Sequence, residues 1–201
     1  MRIKMPSNYD ICSKDYLKSL LSNIGATIMG VKPAELRNVI LSNSNCGDCC
    51  YWQECKESLL EYQQLGVLEI GKMEKQNRIK VLFYHRSSLD RHLRNKHNLK
   101  FLREIGYPKN YNLDKYLEHL KERLESEEFP HEIGVFFGYP LKDVLGFMGY
   151  LNLDVSDWGE WRFYGNERVS QLQQKRFEQA RDYVKERLDN VEDTKEFYEV
   201  I

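Results

Sequence analysis

"FPHEIGVFFGYP", Phe129 to Pro140, sets a His-Glu pair ahead of a dense apolar run and stops on Gly-Tyr-Pro. Ile133 to Phe137 reads as a buried β-strand: it is short, apolar and bounded by turn residues. Pro140 then opens a helix, because proline suits the first helical turn. Leu141, Val144, Leu145 and Met148 follow at the i, i+3, i+4, i+7 spacing of one helix face. A strand feeding a helix at this point makes the chain an alternating α/β protein, with a sheet covered by helices.

Working outward, the same grammar recurs. "ATIMGV" (26–31) predicts a second short buried strand, and Pro33 predicts a helix through "PAELRNVIL" (33–41). Residues 14–23 read as an amphipathic helix with Leu17, Leu20, Leu21 and Ile24 on one side. Asp48 is a candidate N-cap for a helix running to about Leu65, with Gly66 just past its end. "VLEIGKM" (67–73) and "RIKVLFYH" (78–85) flank "EKQN" as a hairpin whose second strand is central.

Ser87 or Ser88 caps a helix carrying Leu89 and Leu93. Asn98 caps the next, with Phe101, Leu102 and Ile105 inward, and Gly106-Tyr107-Pro108 ends it. Residues 112–126 form a helix with Leu113, Tyr116, Leu117, Leu120 and Leu124 on one face. "EWRFYG" (160–165) is a further strand, and a last helix over about 167–189 turns Phe177, Ala180, Val184 and Leu188 inward. The expected fold is a single α/β domain over 1–201, with a mixed β-sheet, a hairpin and covering helices.

Composition narrows the function classes. Apolar content of 41% and charged content of 30% are those of a globular protein. The net charge of −1 gives no whole-chain field toward nucleic acid or an anionic membrane. No apolar run approaches the roughly 18 residues that span a bilayer. The N-terminus "MRIKMPSNYDICSKDY" lacks the apolar core of a signal peptide, so the expected compartment is the cytoplasm. Five cysteines, an odd number, argue against a disulfide framework.

Three groups of residues could carry chemistry. His131 and Glu132 are candidate acid/base residues, but position 135 is Val, so the His-Glu-x-x-His pattern of zinc proteases fails. The strand-to-helix turns Gly30-Val31-Lys32-Pro33 and Gly138-Tyr139-Pro140 could cradle an anion on the N–H groups of a first helical turn, with Lys32 as counter-charge. Lys32, Gly138 and Tyr139 are therefore candidate ligand-binding residues for a small anionic metabolite. Neither GxGxxG nor GxxxxGK[ST] is present, so no dinucleotide or P-loop site is implied.

The third group is "CGDCCYWQEC", which packs Cys46, Cys49, Cys50 and Cys55 into one short segment. Cys46-x-x-Cys49 has the spacing of a metal knuckle or a dithiol pair, and thiolates suit zinc or an iron–sulfur cluster. On a helix starting at Cys49, Cys55 lies about 120° around the axis, so a site from Cys46, Cys49 and Cys50 plus a ligand from elsewhere is easier to build. Cys12 or a histidine could supply that ligand. Thiols at a helix N-terminus also have depressed pKa values, which allows a redox reading. A metal-binding or thiol-redox accessory protein is the leading expectation, and whether the chain is an enzyme stays open.

Residues 85–103 carry Arg86, Arg91, Arg94, Lys96, Lys100 and Arg103 against Asp90 alone. A nucleic-acid or protein interaction module using the basic helices 86–103 is a further alternative; the leucines and Phe101 already face inward, so these charges belong to a solvated side and nucleic acid is disfavoured as the partner. Trp158, Trp161, Phe163 and Tyr164 read as strand core.

The strings "GVKPAEL", "VLFYHRSSLDRHL", "FLREIGYP", "FPHEIGVFFGYPLKDVLGFM" and "WRFYGN" occur in that order. Through them the chain resembles a bacterial family of unknown function, catalogued as 3793, over about residues 14–185. The resemblance implies a cytoplasmic bacterial protein, typical of anaerobes, and carries no activity with it. Around residues 43–58, where the cysteines cluster, the sequence departs from the family's pattern.

Overall fold

The computed structural model describes residues 8–41, 51–73 and 77–191. Its helices are α1 (Asn8–Asn23), α2 (Gly25–Ile28), α3 (Tyr51–Leu60), α4 (Arg86–Leu93), α5 (Lys96–Glu104), α6 (Leu113–Glu125), α7 (Ile133–Phe136), α8 (Leu141–Phe147) and α9 (Arg168–Asp189). Its strands are β1 (Ala34–Ile40), β2 (Leu65–Met73), β3 (Arg78–His85), β4 (Val155–Trp158) and β5 (Arg162–Tyr164).

The organising element is β3. It lies between β1 and β2 in a three-stranded sheet, order β1-β3-β2, and is apolar on both sides. Side chains alternate along a strand, so Ile79, Val81 and Phe83 face one layer while Leu82 and Tyr84 face the other. The first layer holds Leu17, Leu20 and Leu21 of α1, Trp52 and Leu59 of α3, and Val184 and Leu188 of α9. The second holds side chains of α4 to α8, among them Leu89, Phe101, Tyr116, Phe136 and Val144. Fully burying each large apolar side chain of β3 contributes about 1.5–3 kcal/mol, so losing either layer removes the reason for the strand.

Class, hairpin and covering helices agree with the sequence reading. The strand pairings do not include the parallel component expected of a mixed sheet: β1 with β3, β2 with β3, and β4 with β5 are all antiparallel. Three segments change state. "ATIMGV" is not a strand; its start belongs to α2. "PAELRNVIL" is not a helix; Ala34–Ile40 is β1, with Ala34 opposite Tyr84 and Val39 opposite Ile79. Proline suits the residue before an edge strand as well as the first turn of a helix, and β1 is an edge. Ile133–Phe136 is a single helical turn, with all four residues buried.

The physical reason is common to the first and third segments. A short run buried all round has no polar face, so its period cannot be read. What does distinguish it is the cap. After α7, Gly138 sits at φ +78°, its N–H donates to Val135 O at 3.1 Å, and Tyr139 N–H donates to Gly134 O at 3.0 Å. This is the Schellman arrangement that closes helices on a left-handed glycine. Gly106-Tyr107 closes α5 in the same way, with bonds to Arg103 O and Leu102 O, and Gly30-Val31 closes α2 with bonds to Thr27 O and Ala26 O. The two Gly-Tyr-Pro tripeptides therefore have one meaning: each ends a helix.

Smaller differences concern caps. Gly66 lies inside β2, where a Cβ would stand 2.0 Å from the Tyr84 ring. Its missing side chain lets that ring lie across the sheet. Asn95, not Asn98, caps α5, accepting from His97 N at 2.9 Å. Ser88 serves the fold differently, donating from Oγ to Gly30 O at 2.6 Å.

Candidate functional site

Of the residues singled out in the sequence, several prove to be structural. The Glu132 carboxylate is fully buried, accepts from Tyr107 Oη at 3.2 Å and is forked by Arg123. Burial and the Glu132 charge push the Tyr107 phenol well above its ordinary value. Glu132 is thus a tie between α6 and α7, not an acid/base facing substrate. His131, next to it, is exposed and makes ring contacts with Phe129 and Phe147, centroids 5.9 and 5.0 Å apart.

Lys32 is buried and pairs with Glu35 at 3.0 Å and Glu160 at 3.1 Å. Its ammonium also lies 5.4–5.9 Å from the rings of Phe137, Tyr139 and Phe177. With two carboxylates on it, Lys32 is not a counter-charge waiting for an anion, and Pro33 opens a strand rather than a helical turn. Gly138 is packed beneath Pro33, where a Cβ would meet Pro33 Cδ at 2.5 Å. The proposed anion cradle is therefore absent at Pro33. At 138–140 the Tyr139 N–H already serves the α7 cap.

Cys46, Cys49 and Cys50 lie outside the described residues. Cys55 is described: it is 1% exposed in the layer with Trp52 and Leu59, and burial pushes its thiol up to about 12. A thiol held in its protonated form is a poor nucleophile and a poor metal ligand. Among the described residues no group of three or more His, Cys, Asp and Glu side chains could hold a metal ion. Cys55 is expected to resist alkylation by iodoacetamide at pH 8 in the folded protein and to react on unfolding in urea. Peptide mass spectrometry reads this directly, and rapid labelling of Cys55 in the native protein would contradict its placement.

The basic residues of α4 and α5 are solvated or locally paired, Arg94 with Asp90 at 2.7 Å and Lys100 with Glu104 at 3.8 Å. No helix among the described residues is long and apolar enough to cross a membrane.

What the structure brings together is different. The start of the opening stretch, α8 and the β4–β5 hairpin converge on a cleft of about 320 Å³. Its walls include Phe137, Tyr139 and Trp161, with Phe129, Phe147 and Trp158 as further lining rings. Tyr139 and Trp161 stack with centroids 4.1 Å apart and planes 20° from parallel. Phe129, Phe147 and Trp158 are 48%, 45% and 66% exposed, which leaves three large rings in water around one opening.

A buried carboxylate fixes this geometry. Asp143, on α8, is 1% exposed and accepts from Trp161 Nε1 at 2.8 Å, Tyr164 N at 2.9 Å and Ser170 Oγ at 2.6 Å. Lys142 Nζ adds a fourth contact at 2.5 Å and also donates to Tyr164 O and Ser170 Oγ. Four donors neutralise the buried charge and satisfy its lone pairs. Asp143 thereby joins α8, β5 and α9 and holds the Trp161 indole at a set angle.

A second tie holds the hairpin turn. Glu160 pairs with Lys32 and with Arg181 of α9, and its N–H donates to Gln174 Oε1 at 3.0 Å. Burial alone would raise the Glu160 carboxyl; Lys32 and Arg181 outweigh it and leave the group below its ordinary value. The two carboxylates that line the cleft are therefore both compensated.

Phe129, His131, Gly134, Phe137 and Tyr139 of this site stand in the opening stretch, and of these His131 and Tyr139 are sequence-predicted site residues. The sequence reading does not single out Phe147, Trp158 and Arg162 as site residues. Phe163 and Tyr164 are core as expected, while Trp158 and Trp161 are not. The available signal was "DWGEWRF": two tryptophans flank a Gly-Glu turn, which places rings where a hairpin is least able to bury them.

A family model described as "Protein of unknown function (DUF3793)" matches residues 20–198. No curated protein and no solved structure matches the chain.

Proposed function

Since the chain belongs to the DUF3793 family of proteins of unknown function, its chemistry has to come from its geometry, and we propose that it is a binding protein for a small flat ring compound held in the aromatic cleft. One observation carries this reading. Six aromatic side chains from separate segments line one opening of about 320 Å³, at the small end of the roughly 300–1,000 Å³ range of ligand pockets. Exposed rings gathered at one place mark a binding surface, whereas scattered ones do not.

Preorganisation supports the same reading. The Trp161 ring is stacked on Tyr139 and tethered to Asp143, so a planar guest meets a wall that is already set. The guest would cover apolar surface that the folded chain leaves wet, which is the driving force.

The three tryptophans provide the test, because Trp158 and Trp161 line the cleft while Trp52 is in the sheet core. Naphthamide, a neutral fused-ring probe, is expected to quench tryptophan emission saturably at one molecule per chain. Phe147→Ala with Trp158→Ala removes two exposed rings without touching the core. It is expected to weaken binding about tenfold, at roughly 0.5–1.5 kcal/mol per aromatic pair. The affinity of this variant is read by calorimetry, since the substitution removes one reporter. Absence of a saturable quench, or unchanged affinity in the double variant, overturns the proposal.

A further inference from the structure

Resting on the ring-binding reading, we infer that the cleft selects ring compounds bearing a carboxylate, and that Arg162 is the group that binds the acid at the mouth. Arg162 lines the cleft from β5, and its guanidinium lies over the Trp158 ring at 4.4 Å and within 5.7 Å of the Phe147 ring centroid. A guanidinium stacked on a ring face keeps its N–H donors in its own plane, where a carboxylate can meet two of them at once. Among the described residues no ion pair or hydrogen bond uses these donors.

Charge balance around the cleft points the same way. Glu160 is held by Lys32 and Arg181, and Asp143 by Lys142 and three neutral donors. The anionic lining is thus cancelled from behind, while the cation at the mouth has no counter-ion among the described residues. His131 stands on the same rim, against Phe147. Dispersed arginines on a surface are ordinary; this one lies over two rings that belong to the cleft itself.

Aromatic clefts also attract cations, because ring faces are electron-rich. Here that place is taken. Arg162 already covers Trp158 and faces Phe147, so an incoming ammonium group would meet a like charge on the rings it needs. An acid group instead completes the pair. Its ring system would lie inward against Phe137, Tyr139 and Trp161, and its charge outward beside Arg162.

Three probes of one shape decide the matter: naphthoate, naphthamide and naphthylmethylammonium. Naphthoate is expected to bind about tenfold tighter than naphthamide, a charge-assisted hydrogen bond discounted for a solvent-facing mouth. The ammonium compound is expected to bind weakest. Arg162→Gln should abolish the preference, bringing naphthoate and naphthamide to one affinity. Arg162→Lys should keep part of the preference, since it retains charge without the fork. Arg162 is exposed, so circular dichroism and melting of these variants should match the parent.

Equal binding of the three probes, tightest binding of the ammonium compound, or a naphthoate preference that survives Arg162→Gln overturns the charge assignment alone. Failure of all three to bind overturns both this inference and the ring-binding reading.

Discussion

Asp143→Ala is expected to lower the melting temperature by about 10 °C and to abolish binding of naphthamide in the cleft. The substitution removes one carboxylate and orphans several donors. Tyr164 N and Ser170 Oγ are buried with it; Trp161 Nε1 and Lys142 Nζ are closer to solvent and recover part of their hydration. Each buried group left unpaired costs about 1–3 kcal/mol, so the sum is about 3–5 kcal/mol. For a domain of this size about 2–4 °C accompanies each kcal/mol. Asp143→Asn preserves shape but supplies one acceptor atom where two are used, and is expected to fall between the two. The informative readout is Trp161: with its tether gone, its emission should shift toward that of a solvated indole even below the melting transition. A variant that melts like the parent, or keeps Trp161 emission unchanged, would refute the role assigned to Asp143.

Arg123→Ala is the second large effect, expected at about 3–5 kcal/mol by urea unfolding. The guanidinium is itself 40% exposed, and its removal would ordinarily be cheap; the cost arises at its partner. Glu132 has no exposure, and without Arg123 only the Tyr107 hydroxyl remains to it among the described residues. A buried carboxylate so stranded is destabilising. The companion variant is Tyr107→Phe with Arg123→Met and Glu132→Leu, which removes all three polar groups together and should recover most of the loss. That comparison separates a stranded charge from lost packing. A loss below about 1 kcal/mol in Arg123→Ala, a surface ion pair's value, would show that Glu132 does not depend on it.

Where the sequence was informative, β-rich composition or a visible period carried the information. The β-rich run Ile79–His85 placed β3 at the centre, and the heptad-like spacing of Tyr116, Leu117, Leu120 and Leu124 placed α6. The period vanishes for Gly25–Ile28 and Ile133–Phe136, which are buried on every side, and there the reading went to strand. Gly106-Tyr107-Pro108 reads as a helix end in the sequence, and Gly138-Tyr139-Pro140 carries the same meaning. The cleft was half legible: its ring-rich segments were noticed separately, but their convergence depends on Asp143 and Glu160, whose partners lie up to 128 residues away in the chain. The cysteines drew attention by rarity, yet the described one, Cys55, is a core side chain.

The last helix has a consequence for how the protein is made. Residues 34–85 contain the whole three-stranded sheet: β2 and β3 pair locally as a hairpin, which forms early, and β1 joins β3 across the intervening α3 and β2. By contrast α9 supplies Val184 and Leu188 to the layer over α1, Phe177 and Ala180 beside α2, Ser170 to Asp143 and Arg181 to Glu160. A chain emerging from the ribosome can therefore assemble its sheet while synthesis continues, but its ring-lined cleft stays unfinished until α9 has followed. Nascent chains stalled after β5 would present wet aromatic surface with neither carboxylate tie complete, a natural handle for chaperones. The cleft is thus completed by α9 rather than growing in with the sheet.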